Sequence, residues 1–307
     1  MGVSPAEVVL LSGGTGGAKL ARGMLDAVGG ESLAVIANTG DDIEIHGAHV
    51  SPDPDLVSFW LADAIDDRGW GLRDDSFAVM DALRELGVEV WFNLGDRDLA
   101  WCMERARMLV EGLSPTAALA RLNEALGVSA RVLPMSDDRV RTWIRTAGAG
   151  WLGFQEFMIR ERATGLVEGL EFRGAEQAKP SSEVLAAIEN ASAIVIGPSN
   201  PLASIGPILA VPGMREALIA ASAPVVAVSP IVGGEVLKGP TAQFMAFAAL
   251  DLSAHGVADF YGELLDGMVA DEAVTEVPTL QTNTRMDDAS EQARLAEETL
   301  SFAAALG

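Results

Sequence analysis

A single cysteine, Cys102, stands among 307 residues, so an intramolecular disulfide and a cysteine-based zinc site are both excluded. Basic residues are scarce: 21 Lys and Arg against 44 Asp and Glu leave a formal charge of −23. Such a chain lacks the clustered cations that a phosphate backbone demands, so neither nucleic acid nor an anionic membrane surface is an expected partner. A nucleotide remains compatible, because it asks only for a local nest of N–H donors or a metal between carboxylate and phosphate. No uninterrupted apolar run reaches the roughly 18–20 residues of a membrane span. The first residues carry no basic segment leading into an apolar one, and a cytoplasmic protein is the expectation. Gly-x-Ser-x-Gly and His-Glu-x-x-His are missing, which leaves a serine hydrolase or a zincin without support. His46 and His49 have metal-like spacing but no helix to carry it, while His255 and Cys102 read as structural.

Apolar residues, by contrast, make up 49% of the chain, enough for a real core in one large α/β unit or two domains. An apolar run, Glu7 to Leu11, passes into Ser12-Gly-Gly-Thr-Gly-Gly17, and a helix pattern follows over about 18–28. Strand, glycine turn and helix is how α/β proteins offer backbone N–H groups to a phosphate. A second apolar run, Leu33 to Ala37, ends in Asn38-Thr-Gly-Asp-Asp42, on the same ligand edge as the glycine turn. Helical patterns come next at about 56–66, 76–87 and 115–126, with a further helix after Leu94-Gly-Asp-Arg-Asp-Leu99. From Arg131 the period shifts toward two, with strands expected at 131–135, 141–146 and 153–160. After Ser182 the doubly wound pattern resumes, with strands at 193–196 and 225–228 and a last helix at about 287–305. The expected fold is α/β: a Rossmann-like, mostly parallel, doubly wound sheet formed by 1–50 and 176–307. Residues 51–175 form a largely helical insertion carrying a small β-element.

The candidate site residues each have a plain alternative. Gly13, Gly14, Gly16 and Gly17 with Ser12 and Thr15 form either a tight turn or a diphosphate cradle. Lys19 either reaches a phosphate or lies solvated. The turn is no Walker loop, because Lys19 lacks the Gly-Lys-Ser/Thr ending. It also lacks the last glycine of a dinucleotide fingerprint, which argues against a nicotinamide dehydrogenase. Asp41 and Asp42 suit a turn, but beside a phosphate site they read as a Mg²⁺ position. Asp53 and Asp55, stiffened by Pro52 and Pro54, have the same two readings. Asp98 is placed like a helix cap, and Arg97 between two acids could clamp a phosphate or an aromatic ligand.

Taken in order, these stretches, together with Leu133-Pro-Met-Ser-Asp-Asp138, Gly197-Pro-Ser-Asn-Pro201, Ser204-Ile-Gly-Pro-Ile208 and Ser229-Pro-Ile231, resemble the 2-phospho-L-lactate transferase (CofD) family. The resemblance runs over about residues 8–265. It implies transfer of a phospholactyl or phosphoenolpyruvyl group from a guanosine diphosphate-linked donor to FO, the deazaflavin alcohol of coenzyme F-420 biosynthesis. GMP leaves, and Mg²⁺ is required. Carried onto this chain, Gly13 to Gly17 would hold donor phosphates, while Ser199 and Asn200 complete a guanosine pocket. Asp41, with Asp42, would bind Mg²⁺. Asp53, Asp55 and Arg97 would face FO, with Asp55 touching its hydroxyls or acting as base. A homodimer is the expected assembly. The competing reading is a regulatory protein of a related family of nucleotide-sugar-binding growth factors, which shares the opening glycine turn.

Overall fold

Short apolar runs build the core. Glu7–Ser12 (β1) and Leu33–Ala37 (β2) are buried at every position, the pattern of strands covered on both faces in a parallel sheet. The computed structural model describes residues 7–237 and 239–307. Between the two strands lies α1 (Gly14–Val28); after them come a hairpin of β3 (Ile43–Ile45) and β4 (Ala48–Val50), and helices α2 (Pro52–Leu61), α3 (Ala78–Glu85), α4 (Asp96–Val110) and α5 (Pro115–Leu126). Strands β5 (Arg131–Pro134), β6 (Arg141–Thr146), β7 (Gly150–Gly153) and β8 (Val167–Arg173) lead to α6 (Ser182–Glu189) and β9 (Ala191–Ile196). The remainder adds α7 (Gly206–Leu209), α8 (Met214–Ala220), β10 (Val225–Val228), the short pair β11 (Ile231–Val232) and β12 (Glu235–Val236), α9 (Thr241–Phe247), α10 (Ala254–Tyr261), β13 (Gly267–Ala270), β14 (Thr279–Gln281) and α11 (Ala289–Leu306).

Seven strands pair in parallel in the order β14-β13-β10-β9-β1-β2-β5. Side chains alternate along a strand, so Val8 and Leu10 join a layer with Leu20, Met24 and Leu295 of α1 and α11. Val9 and Leu11 join the opposite layer with Ile188, Leu218 and Val257. The doubly wound α/β architecture is the expected one. From β1 the chain winds outward through β2, and from β9 it winds the other way through β10. Since β1 and β9 are neighbours, the switch point lies between them, and their carboxyl ends open the crevice in which such sheets bind ligands.

Several local expectations are revised. The first helix begins at Gly14 rather than at Ala18, so the glycine stretch is its first turn. Residues 153–160 do not alternate as a strand: β7 stops at Gly153, and Glu156–Arg160 forms a π-helical turn. Glu156 Oε2 accepts the Gly153 N–H at 3.0 Å, and Phe157 is buried edge-on against Phe244. Strand β5, expected within the insertion, is an edge of the main sheet, because Val132 and Leu133 cover one apolar layer each. What stands apart from the sheet is a small core of Met80, Phe92, Leu94 and Leu99 under the β3–β4 hairpin, and the antiparallel sheet β7-β6-β8. Among the described residues no single helix is long and apolar enough to cross a membrane.

Candidate active site

At the end of β1, Gly13 caps α1 in an extended conformation and Gly14 follows with φ +65°, a left-handed value open to glycine. Strand becomes helix within two residues. The neighbouring glycines permit close packing: a Cβ on Gly16 would lie 2.1 Å from the Pro198 carbonyl oxygen, and one on Gly13 2.5 Å from Ser204 Cβ. Their absence lets α1 seat against the turn after β9. The two strand ends are tied directly, since the Gly13 N–H donates to Ser199 Oγ at 3.2 Å. The Gly14 N–H is also taken, by Asp53 Oδ1 at 2.7 Å. A helix leaves its first four N–H groups without intrahelical acceptors, and no side chain caps α1 at its remaining positions among the described residues. The N–H groups of Thr15 and Gly16 stand at that N-terminus, a position chemically suited to an anion. Ser12 Oγ and Thr39 Oγ1 are buried there without a hydrogen-bond partner among the described residues.

Two expected donor-side residues, Lys19 and Asn200, make contacts within the chain. Lys19 Nζ donates to Met286 O at 2.7 Å and lies 6.0 Å from the centre of the Trp60 ring, one turn along α1 from its N-terminus. Asn200 spends its Oδ1 on the N–H groups of Leu202 and Ala203, both at 3.0 Å, and so caps the turn after β9.

The acids are organised by Asn38, a residue that lies within a sequence motif but carries no signal of its own role there. Its Nδ2 donates to Asp41 Oδ1 at 3.1 Å and to Asp53 Oδ2 at 2.9 Å. Its Oδ1 accepts the Gly40 N–H at 2.7 Å, and its own N–H donates to Ser12 O at 3.0 Å. One buried amide thus joins the ends of β1 and β2 to the first turn of α2. Burial raises both carboxyls. Asp53 moves up to about 6 despite hydrogen bonds from Gly14 and Asn38. Asp41 rises well above the usual carboxylate range, through burial first and then the charges of Asp53 and Asp42.

Asp42 is in another situation. Its carboxylate accepts from Ser51 Oγ at 2.7 Å and contacts His49 Nε2 at 3.1 Å, with Arg141 at 3.9 Å. Neighbours in sequence have diverged: Asp42 is engaged by Ser51, His49 and the more distant Arg141, whereas Asp41 and Asp53 share one neutral amide. That uncompensated pair fits Mg²⁺, which takes one or two carboxylates and fills its shell with water and phosphate oxygens. No group of three or more His, Cys, Asp or Glu arranged for a metal occurs among the described residues, so an ion there would depend on substrate oxygens.

Asp55 lies on the far side of α2's first turn, tied into α4. It is ion-paired with Arg105, the two side chains being 6% and 4% exposed, and Trp101 Nε1 donates to its Oδ1 at 2.7 Å. Arg105 also reaches the His49 carbonyl at 3.0 Å. Arg97 is exposed on the first turn of α4 and donates to Arg73 O at 3.1 Å. Asp98 is not the helix cap, a position held by Gly95. It is 7% exposed, and burial, with the charge of Asp55, lifts its carboxyl to about 7. Asp55, Arg97 and Asp98 share α4's N-terminal region, but only Arg97 is open to solvent. Arg105 and Trp101 carry no motif signal; only their i, i+4 spacing on α4 marks them as lying on one face.

These strand ends and acids can be compared with known proteins. The family model described as "2-phospho-L-lactate transferase CofD" matches residues 8–303. The chain belongs to the CofD family. It is 42% identical over 266 residues to the 2-phospho-L-lactate transferase of Methanosarcina mazei, covering 86% of this chain and 87% of that one. It is 44% identical over 278 residues to the phosphoenolpyruvate transferase of Kitasatospora aureofaciens, covering 87% and 85%. The phosphoenolpyruvate transferase of Streptomyces coelicolor matches at 40% over 97% of this chain and 98% of its own. In structure, a UPF0052 family protein from Bacillus halodurans superposes with a TM-score of 0.65 at 18% identity, over 97% of this chain and 100% of that one, a likeness of fold. As a CofD family member the chain is a transferase enzyme. Nothing in these comparisons supports the nucleotide-sugar-binding regulatory alternative.

Proposed function

We propose that this CofD family enzyme moves a 2-phospholactyl or phosphoenolpyruvyl group from a guanosine diphosphate-linked donor to the terminal hydroxyl of FO, a step of coenzyme F-420 biosynthesis. The observation that carries this reading is the Asn38 bridge, which holds Asp41 and Asp53 together beside the N-terminus of α1 at the sheet's switch point. An anionic diphosphate needs what that corner supplies: open N–H groups on one side and a cation position on the other.

The chemistry is an in-line displacement. The hydroxyl oxygen of FO forms a bond to the phosphorus bearing the three-carbon acid, and its proton passes to solvent. The bond from that phosphorus to the GMP phosphate oxygen breaks, and GMP departs with the electron pair. Such a reaction needs positioning and charge neutralisation more than a nucleophilic side chain. Thr15 and Gly16 offer N–H groups to the donor phosphates, and Ser199 keeps the turn closed from the neighbouring strand. Mg²⁺, held by Asp41 and Asp53, would neutralise charge on the phosphate oxygens when bound. Asp42 orients the loop through Ser51 and His49. Asp55 acts as a positioning residue through Arg105 rather than as a base, because its oxygens are already engaged. Arg97, exposed on the first turn of α4, stands on the acceptor side. The enzyme works as a homodimer in this reading.

The direct test incubates the purified protein with FO, Mg²⁺ and the guanosine diphosphate-linked form of 2-phospholactate or phosphoenolpyruvate, then weighs the products. Formation of F-420-0 or its dehydro form with release of GMP is expected. Absence of an adduct with both donors would overturn the proposal.

A further inference from the structure

Arg97 sits on the first turn of α4, yet its place is set from another segment. Neither α3 nor α4 has a capping side chain at its own N-cap position, held by Phe77 and Gly95. Each takes its acceptors from the other's start. Asp75, just ahead of α3, accepts the Arg97 N–H on Oδ1 at 2.9 Å and the Asp98 N–H on Oδ2 at 3.0 Å. Asp96, the first residue of α4, accepts in the opposite direction: from the N–H groups of Ala78 and Val79 at 3.0 and 2.9 Å, and from Ser76 Oγ at 2.6 Å. The Asp96 N–H returns to Ser76 O at 2.7 Å. A helix N-terminus leaves such N–H groups open and favours negative charge beside them. Two acids thus cap two helices reciprocally.

Gly95 shows how close the fit is. Its φ of −67° is open to any residue, but an added Cβ would lie 2.2 Å from Asp75 Oδ2 and 2.5 Å from Asp75 Cγ. The glycine of Leu94-Gly-Asp-Arg-Asp98 is there to seat a carboxylate, not to loosen the chain. The Arg97 side chain leans on the same segment, its Nη1 donating to Arg73 O at 3.1 Å. That segment is itself closed: Ile65 bridges Leu72 in an antiparallel pair, and the Arg73 N–H donates to Ala64 O at 2.8 Å. Residues 73–75 therefore fix Arg97 through both its backbone and its guanidinium, while the arginine stays exposed.

Resting on the transfer reading, in which Arg97 serves the acceptor, we infer that Asp75 is a positioning residue for that arginine. Its carboxylate sets where the first turn of α4 stands, and so where the guanidinium is presented to FO. The N–H groups it accepts belong to Ser76, Arg97 and Asp98, none of them on the donor side. Asp75→Ala, Asp75→Asn, Arg97→Ala and the pair Asp75→Ala with Arg97→Ala are compared with wild type. FO is varied at saturating donor and Mg²⁺, GDP is titrated by calorimetry, and thermal melting establishes that each variant is folded. Asp75→Ala should raise the KM for FO by about tenfold with kcat within about threefold. Asp75→Asn keeps an oxygen acceptor and should recover much of that loss. GDP affinity should stay within about twofold of wild type throughout. In the pair, Asp75→Ala should add less than about twofold to the KM change of Arg97→Ala, because residues acting through one another do not add. A folded Asp75→Ala with an unchanged KM for FO would overturn the proposal, as would a pair in which the two changes multiply. Should Asp75→Ala fail to fold, Gly95→Ala decides, since its Cβ displaces the same carboxylate; an unchanged KM for FO there overturns the proposal. If wild type converts FO and Arg97→Ala leaves its KM untouched, transfer stands and the positioning role falls. If wild type converts no FO, the transfer reading fails first and takes the role of Asp75 with it.

Discussion

Replacing Arg105 with Met should be among the most destabilising single changes near the site. Arg105 and Asp55 are nearly inaccessible to solvent, and the guanidinium makes paired contacts with both carboxylate oxygens. Removing it strands a buried carboxylate next to Asp98, a second buried acid whose carboxyl is already pushed up to about 7. Breaking one partner of a buried pair costs about 3–5 kcal/mol, because the survivor keeps its desolvation penalty and loses its counter-charge. Urea unfolding followed by far-UV circular dichroism reads this directly. With a slope of about 3 kcal/mol per molar, the midpoint should fall by about 1–1.7 M. The double variant Asp55→Leu with Arg105→Met removes both charges and should recover most of that loss. A midpoint for Arg105→Met within about 0.3 M of wild type, or a double variant as unstable as the single, would refute a structural ion pair. Asp55 would then have to be reconsidered as a group that faces the substrate.

The Asp98 carboxyl holds its proton to about pH 7 in the folded chain, against about 3.8 in an unconstrained one. The folded state therefore binds more protons in that window, so stability declines as pH rises from about 4 to about 7. Asp98→Asn should melt like wild type at about pH 4 and above it at pH 8, by an amount equivalent to at most about 4 kcal/mol; equal melting at both pH values would contradict the burial argument. Gly16→Ala sets a Cβ 2.1 Å from a backbone oxygen, so stability should drop by about 1–3 kcal/mol and GDP affinity should fall as the two strand ends separate. A variant that melts and binds like wild type would show that the approach of α1 to Pro198 is adjustable. Asp41→Ala relieves a buried, charge-crowded carboxylate, so the fold should hold or gain stability while Mg²⁺-dependent transfer falls by about 100-fold or more. Near-normal turnover at saturating Mg²⁺ would remove Asp41 from the metal site.

Much of this enzyme is legible in local chemistry. The apolar runs of β1, β2, β9 and β10 could only be buried strands, and the polar turns at their carboxyl ends mark the ligand edge. The order of the motifs carries the family. Spacing could not say which acids share an environment, because direction at a turn is set by partners distant in sequence. Asp41 and Asp42 are adjacent, yet one meets Asp53 across Asn38 and the other turns to His49, Ser51 and Arg141. Asp55 looks like a catalytic acid until Arg105, fifty positions on, is folded against it. The glycines read as a phosphate cradle, and several are there because Pro198 and Ser204 press on them. Strand, helix and ligand edge follow from short-range periodicity, whereas the pairing of charges belongs to the packing of α2 and α4 against the sheet, where burial decides which carboxylates remain uncompensated.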